Sequence, residues 1–231
     1  MTYTKGEVFR MNPVTITNYE IDGYKQSKIS YTMIKQKVES NTLAIILPGI
    51  GYNVQRPLLH FTTNLFIQSK YDVLHINYNY LSSEVYKGLS DEEKVECIEQ
   101  EVKKVIDTVL IEKQYKEYVL VTKSIGTIPI SNELLTRNEF IDAKAIWLTP
   151  LLHNTLLFER MKQCHHPSLY VIGDQDPCYM KDRFNELAIK NNINCVLIDG
   201  ADHSLEDPEV LASIDNLKVV FEELQTFLAS K

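Results

Sequence analysis

The chain has 231 residues, 44% of them hydrophobic and 24% charged, which is enough for one substantial core and ordinary for a globular protein. A formal net charge of -7 leaves no basic surplus to meet phosphates and argues against a nucleic-acid or anionic-membrane partner. No apolar run approaches the roughly 20 residues of a membrane span, and residues 1–7 carry no basic patch followed by an apolar run, so no secretory signal is expected.

No internal repeat, low-complexity tract or linker interrupts the chain, and residues 1–231 read as a single domain. Two β-rich runs, 14–19 and 28–34, predict an antiparallel hairpin at one sheet edge. The apolar run 43–47 stops at Pro48-Gly49, as a strand buried on both faces should. Residues 57–70 follow as a helix and 71–80 as a strand. Ser90 and Glu93 form a capping box, after which Val95, Ile98, Val102, Val105, Ile106 and Val109 recur at helical steps. Strand 118–122, helix 125–135, strand 143–148 and a short helix over 155–162 come next. Strands 168–172 and 195–198 flank a helix over 180–191. The last helix is expected to begin at Asp207-Pro208, with Asp as cap and Pro at the first position. Repeated βα units require a mostly parallel sheet covered by helices on both faces.

Open sheets of this kind bind ligands beyond the carboxyl ends of their strands. Four strand ends carry candidate chemistry: Pro48-Gly49-Ile50-Gly51-Tyr52, Lys123-Ser124-Ile125-Gly126, Gly173-Asp174-Gln175-Asp176 and Asp199-Gly200-Ala201-Asp202-His203. A serine, a carboxylate and a histidine emerge in that order at one sheet edge. Asp174 and Asp176 alternate along one extended segment, so only one can face His203.

From Leu43 to the last helix the sequence resembles the α/β-hydrolase family, whose triad follows the order Ser, Asp, His. The resemblance implies an α/β-hydrolase fold with Ser124 as nucleophile on a sharp strand-to-helix turn. It implies His203 as general base and then acid, and it selects Asp176, followed by Pro177, as the residue that orients His203. The N–H groups of Ile50 and Ile125 would form the oxyanion hole, and Gly49, Gly51 and Tyr52 would contact substrate. The chemistry needs such a set because a neutral serine attacks poorly until a base takes its proton. The intermediate then needs fixed donors where its charge develops. The elbow departs from Gly-x-Ser-x-Gly: Thr122 stands at the first glycine and Gly126 keeps the second. A β-branched residue there is expected to crowd the turn and relax it.

Two other motifs are set aside. Cys164-His165-His166 lacks further ligands at metal spacing and reads as a polar loop. Gly49-Ile50-Gly51 fails as a dinucleotide fingerprint because Val54 takes the third glycine position. No metal or cofactor is called for.

Only residues 150–167 separate strand 143–148 from the next, room for one short helix and no sizeable lid, with Leu151, Leu152 and Leu156 available to an acyl pocket. The expectation is a hydrolase of small carboxylic esters or thioesters, acting through an acyl-enzyme on Ser124 with a small-molecule acyl substrate. Fold and triad serve a small peptidase equally. A catalytically silent binding or scaffold protein is the alternative from another class, favoured only by Thr122. Cys97, Cys164, Cys178 and Cys195 lie far apart without a CxxC pair, which fits a cytoplasmic setting.

Overall fold

The computed structural model describes residues 14–230; the reading of residues 1–7, and the outermost parts of the single-domain reading, lie outside them. The strands are β1 (Val14–Asp22), β2 (Lys28–Gln36), β3 (Thr42–Leu47), β4 (Asp72–Asn77), β5 (Glu117–Lys123), β6 (Lys144–Leu148), β7 (Ser168–Gly173) and β8 (Ile193–Ile198). They form one sheet in the order β1-β2-β4-β3-β5-β6-β7-β8. The expected hairpin is there: β1 pairs antiparallel with β2 and β2 with β4, while β4 through β8 are parallel. This is the mostly parallel α/β-hydrolase arrangement expected from the sequence.

The helices are α1 (Pro57–Gln68), α2 (Glu84–Lys87), α3 (Asp91–Glu112), α4 (Thr127–Thr136), α5 (Thr155–Gln163), α6 (Lys181–Ala188) and α7 (Val210–Ala229). Alternation along each strand splits the core into two layers. Leu43, Ile45, Leu47 and Leu120 face α3 to α6, with Ile98, Val102, Val105 and Leu134. Ala44, Ile46, Val119 and Val121 face α1 and α7, with Leu59, Phe66, Leu224 and Phe227. Every residue of β3 is buried as a result. The capping box opens α3 as read, with Ser90 Oγ accepting from the Glu93 N–H and Glu93 reaching back to the Ser90 N–H. No helix among the described residues is long and apolar enough to cross a membrane.

Two expectations are corrected. The last helix begins at Val210, because Asp207 turns its carboxylate to the Glu209 N–H and bonds Ser213 instead of opening the helix. Its apolar stripe is buried only in the second half: Leu211 and Ile214 are exposed, while Val220, Leu224 and Phe227 are covered. The strand read over 71–80 ends at Asn77. Beyond it the tyrosines leave the sheet and stack, Tyr78 on Tyr80 at 4.7 Å and Tyr80 on Tyr86 at 4.3 Å.

Candidate active site

β5 ends under the centre of the sheet's carboxyl edge, and Ser124 follows it at φ 53°, the only left-handed residue between β5 and α4. A non-glycine residue there is strained, and such strain is held only where the surroundings fix it. Gly126 is what fixes this turn. A Cβ on it would stand 2.8 Å from Leu47 Cβ and 2.9 Å from Leu47 O, so only glycine lets the turn close against β3. Thr122 does not relax the turn, contrary to expectation. Its side chain is buried, and its hydroxyl donates toward Ile146 O at 3.3 Å on the β6 side. The residue that must be small sits on the β3 side, at Gly126.

Asp176 follows β7 and His203 follows β8. Gly173, the last residue of β7, lets the two loops touch: a Cβ there would fall 1.9 Å from Ala201 O. Asp174 and Asp176 divide as alternation requires. Asp174 Oδ1 accepts the Gly200 N–H at 2.8 Å, whereas Asp176 turns inward, its side chain fully buried. Its two oxygens lie 2.9 and 2.8 Å from His203 Nδ1, and the Cys178 N–H donates to Oδ1 at 2.7 Å. A carboxylate can only accept, so Nδ1 carries the proton and Nε2 is left to accept from Ser124 Oγ at 2.8 Å. Ser124, His203 and Asp176 thus form one hydrogen-bonded line in which the imidazole can take the serine proton. Asp202 is exposed but shapes the His203 loop. Its Oδ1 accepts from the Ser204 and Glu206 N–H groups at 2.7 and 3.0 Å.

The loop after β3 closes the other side. Gly49 and Tyr52 exchange their N–H and C=O groups at 3.1 and 3.3 Å, which removes both amides as donors. The Ile50 N–H has no partner among the described residues. Ile125 is the second residue of the short turn of helix that begins at Ser124, within the first turn where N–H groups lack a partner in the helix. Tyr52 is buried, and its ring oxygen accepts from the Leu58 N–H at the start of α1. Tyr78 donates to Pro48 O from below. These parts enclose a cleft of about 420 Å³ lined by Gly49 to Tyr52, Arg56, Lys123, Ser124, His203, Ser204 and Glu206. Leu151, Leu152 and Leu156 do not reach it. Leu152 is packed in the α3–α6 core and Leu156 is exposed.

Sequence reading passed over Lys123. It is buried, with Nζ donating to Thr149 Oγ1 at 2.8 Å and to the His203 carbonyl at 2.6 Å. A second departure concerns Cys164-His165-His166, read as a polar loop. Cys164 and His166 are buried, and His166 Nε2 lies 2.8 Å from Phe140 O. That carbonyl fixes the proton on Nε2, so Nδ1 accepts from the Cys164 thiol at 3.1 Å. Both ring nitrogens are thereby used. Asp176, Cys178 and His203 also converge within 4.8 Å. Burial and then Asp176 push the Cys178 thiol up to about 12, so in this arrangement it is a neutral thiol.

Residues 40–228 match the model of the alpha/beta hydrolase domain family. The chain belongs to that family. Comparison with curated proteins gave no match. Among solved structures, this α/β hydrolase resembles a serine hydrolase without a lid from Xanthomonas campestris, at 13% identity and TM-score 0.67, over 96% of this chain and 99% of that one. It also resembles an alpha-beta serine hydrolase homologue from Coxiella burnetii, at 17% identity and TM-score 0.66, over 90% of this chain and 97% of the other. An esterase from Pyrococcus furiosus matches at 14% identity and TM-score 0.66, over 93% of this chain and 90% of its own. At these identities the likeness is one of fold.

Proposed function

We propose that the protein is a serine hydrolase that cleaves small, uncharged carboxylic esters or thioesters through an acyl-enzyme on Ser124. The observation that carries this reading is the Ser124–His203–Asp176 line, its serine held at φ 53° beside the unpartnered Ile50 N–H. His203 Nε2 takes the Ser124 proton as Oγ bonds to the carbonyl carbon, and the carbonyl electrons move onto oxygen. The N–H groups of Ile50 and Ile125 receive that oxyanion. The intermediate collapses with loss of the alcohol or thiol, which leaves with the proton from His203. Water, deprotonated by the same nitrogen, then releases the acid and restores the serine. Asp176 keeps Nδ1 protonated throughout.

The preference for uncharged acyl groups rests on a groove of about 850 Å³ that continues past Gly49, Ile50 and Gly51 toward β1, β2 and α1. Among the described residues its walls include Ile16, Ile34, Val54, Ile67 and Leu81 and contain no Asp, Glu, Lys or Arg. Between β6 and β7 stands one nine-residue helix, which leaves the cleft without a long cover. Free thiols at all four cysteines support a cytoplasmic setting, and the single sheet supports one domain.

The test is a fluorophosphonate probe together with a panel of acyl esters, thioesters and aminoacyl amides. The wild-type protein labels at Ser124 and turns over short neutral esters or thioesters, and Ser124→Ala does neither. Equal labelling of the two proteins, or turnover confined to the amides, rejects the reading.

A further inference from the structure

Lys123 is the last residue of β5 and lies directly before the serine, yet it is among the largest fully buried side chains of the molecule. Its ammonium joins no ion pair among the described residues. It is met by the Thr149 hydroxyl, the His203 carbonyl and the face of Tyr52, whose ring centre is 4.7 Å away. Burying a charge whose direct hydrogen-bond partners are all neutral is costly, and an apolar side chain of similar length would fill the space without that cost. The three partners come from three different loops, those after β3, β6 and β8. Thr149 is itself held at φ 45°, a strained setting for a β-branched residue.

We propose that Lys123 is a positioning residue whose ammonium holds the main chain of His203 in register with Ser124. The His203 loop is tied to the β7 loop by Asp174 at Gly200 and by Ala201 O at the Gln175 N–H. Beyond Ala201 its backbone bonds run within the loop, Leu205 N–H to Asp202 O and Asp202 N–H to Glu206 O. Lys123 is therefore the anchor of the histidine's own peptide unit to the sheet. Its Nζ bonds neither Ser124 Oγ nor the His203 ring, and it acts through the His203 main chain.

This role depends on charge, since a charge-assisted hydrogen bond is roughly twice as strong as a neutral one. Facing Nζ are Tyr52 after β3, Thr149 after β6, Asp176 and Cys178 after β7, and Asp202, His203 and Glu206 after β8. Burial pulls the ammonium down to about 8, against the opposing pull of Asp176, Asp202, Cys178 and Glu206. The anchor is charged at neutral pH and weakens as pH rises through that value, so turnover falls on the alkaline side.

The proposal rests on the hydrolase reading, and its test separates the two. The pH dependence of kcat and KM is measured for wild type, Lys123→Met and Thr149→Val, and the His203 imidazole resonances are followed by NMR over the same range. Lys123→Met lowers kcat roughly ten- to a hundredfold with KM nearly unchanged, and its profile lacks the alkaline limb. Thr149→Val removes one acceptor and moves the limb down by roughly half a pH unit; it decides the matter if Lys123→Met does not fold. In wild type the His203 resonances carry an alkaline inflection that Lys123→Met removes, a readout that needs no turnover. Wild-type kcat and limb in Lys123→Met, or an unmoved limb in Thr149→Val, overturns the role of Lys123 and leaves the hydrolase intact. An inactive, unlabelled wild type whose His203 inflection depends on Lys123 overturns the hydrolase and leaves the anchor standing.

Discussion

At the scale of single residues the two carboxylates after β7 are the sharpest case. Asp176 holds His203 Nδ1 and Asp174 holds the Gly200 N–H, so the same substitution has opposite meanings at the two positions. Asp176→Asn leaves the packing in place but puts an amide where a carboxylate fixed the tautomer, and kcat falls roughly a thousand- to ten-thousandfold. Asp174→Asn keeps an oxygen for Gly200 and leaves kcat within a few-fold. Steady-state assays of the two variants on one ester compare them directly; equal losses would remove Asp176 from its role. Alternation places the two carboxylates on opposite sides in the sequence itself, and the family resemblance selects Asp176. Lys123 was not distinguishable in that way. The only trace in the sequence is a lysine just past the apolar run 118–121, and nothing local says whether such a lysine turns out to solvent or inward. Its burial is decided by loops from three other strands.

At the scale of elements, strands and helices were legible where burial is complete or caps are local. β3 and β5 are runs covered on both faces, and α3 is opened by the Ser90–Glu93 box. Errors came where side chains from elsewhere override local preference. Tyr78 and Tyr80 have high strand propensity but leave the sheet, because their hydroxyls are claimed by Pro48 O and by Glu101. Glu101 is the more instructive of those partners. It is buried in α3 and accepts from the Tyr24 N–H at 2.9 Å, Ser27 at 2.6 Å and Tyr80 at 2.8 Å. One carboxylate therefore fastens the β1–β2 turn and the tyrosine stack to α3. Glu101→Leu leaves these donors without an acceptor and lowers stability by about 3 kcal/mol, as read by urea denaturation. A loss below about 1 kcal/mol would mean that water or neighbouring groups replace the carboxylate.

At the scale of the whole molecule, the sheet gathers groups that are far apart in sequence, and it also buries groups that titrate. His75 projects from β4 toward α1, its Nε2 2.9 Å from Thr63 Oγ1. Thr63 already donates to Leu59 O, so Nε2 carries a proton and donates to it. Burial lowers His75 from its ordinary 6.5 to about 4. The unfolded chain binds this proton first as pH falls, so stability is complete above the ordinary value and drains away between about 6.5 and 4. Between neutral pH and about pH 5 the loss from this group is on the order of 2 kcal/mol. Urea titrations at both pH values should show it in wild type and not in His75→Gln, where a neutral amide replaces the ring; parallel curves for the two proteins would assign the acid sensitivity elsewhere.

The buried lysine obeys the same linkage with a different outcome. Lys123 releases its proton near 8 in the folded chain and at 10.5 when unfolded, so across that window the folded state grows more secure with every increment of alkali. The same deprotonation slackens the histidine's anchor. Alkaline conditions thus pull endurance and speed in opposite directions through a single nitrogen atom. A variant selected only for survival at high pH would be free to discard this charge, and would surrender part of its turnover in doing so.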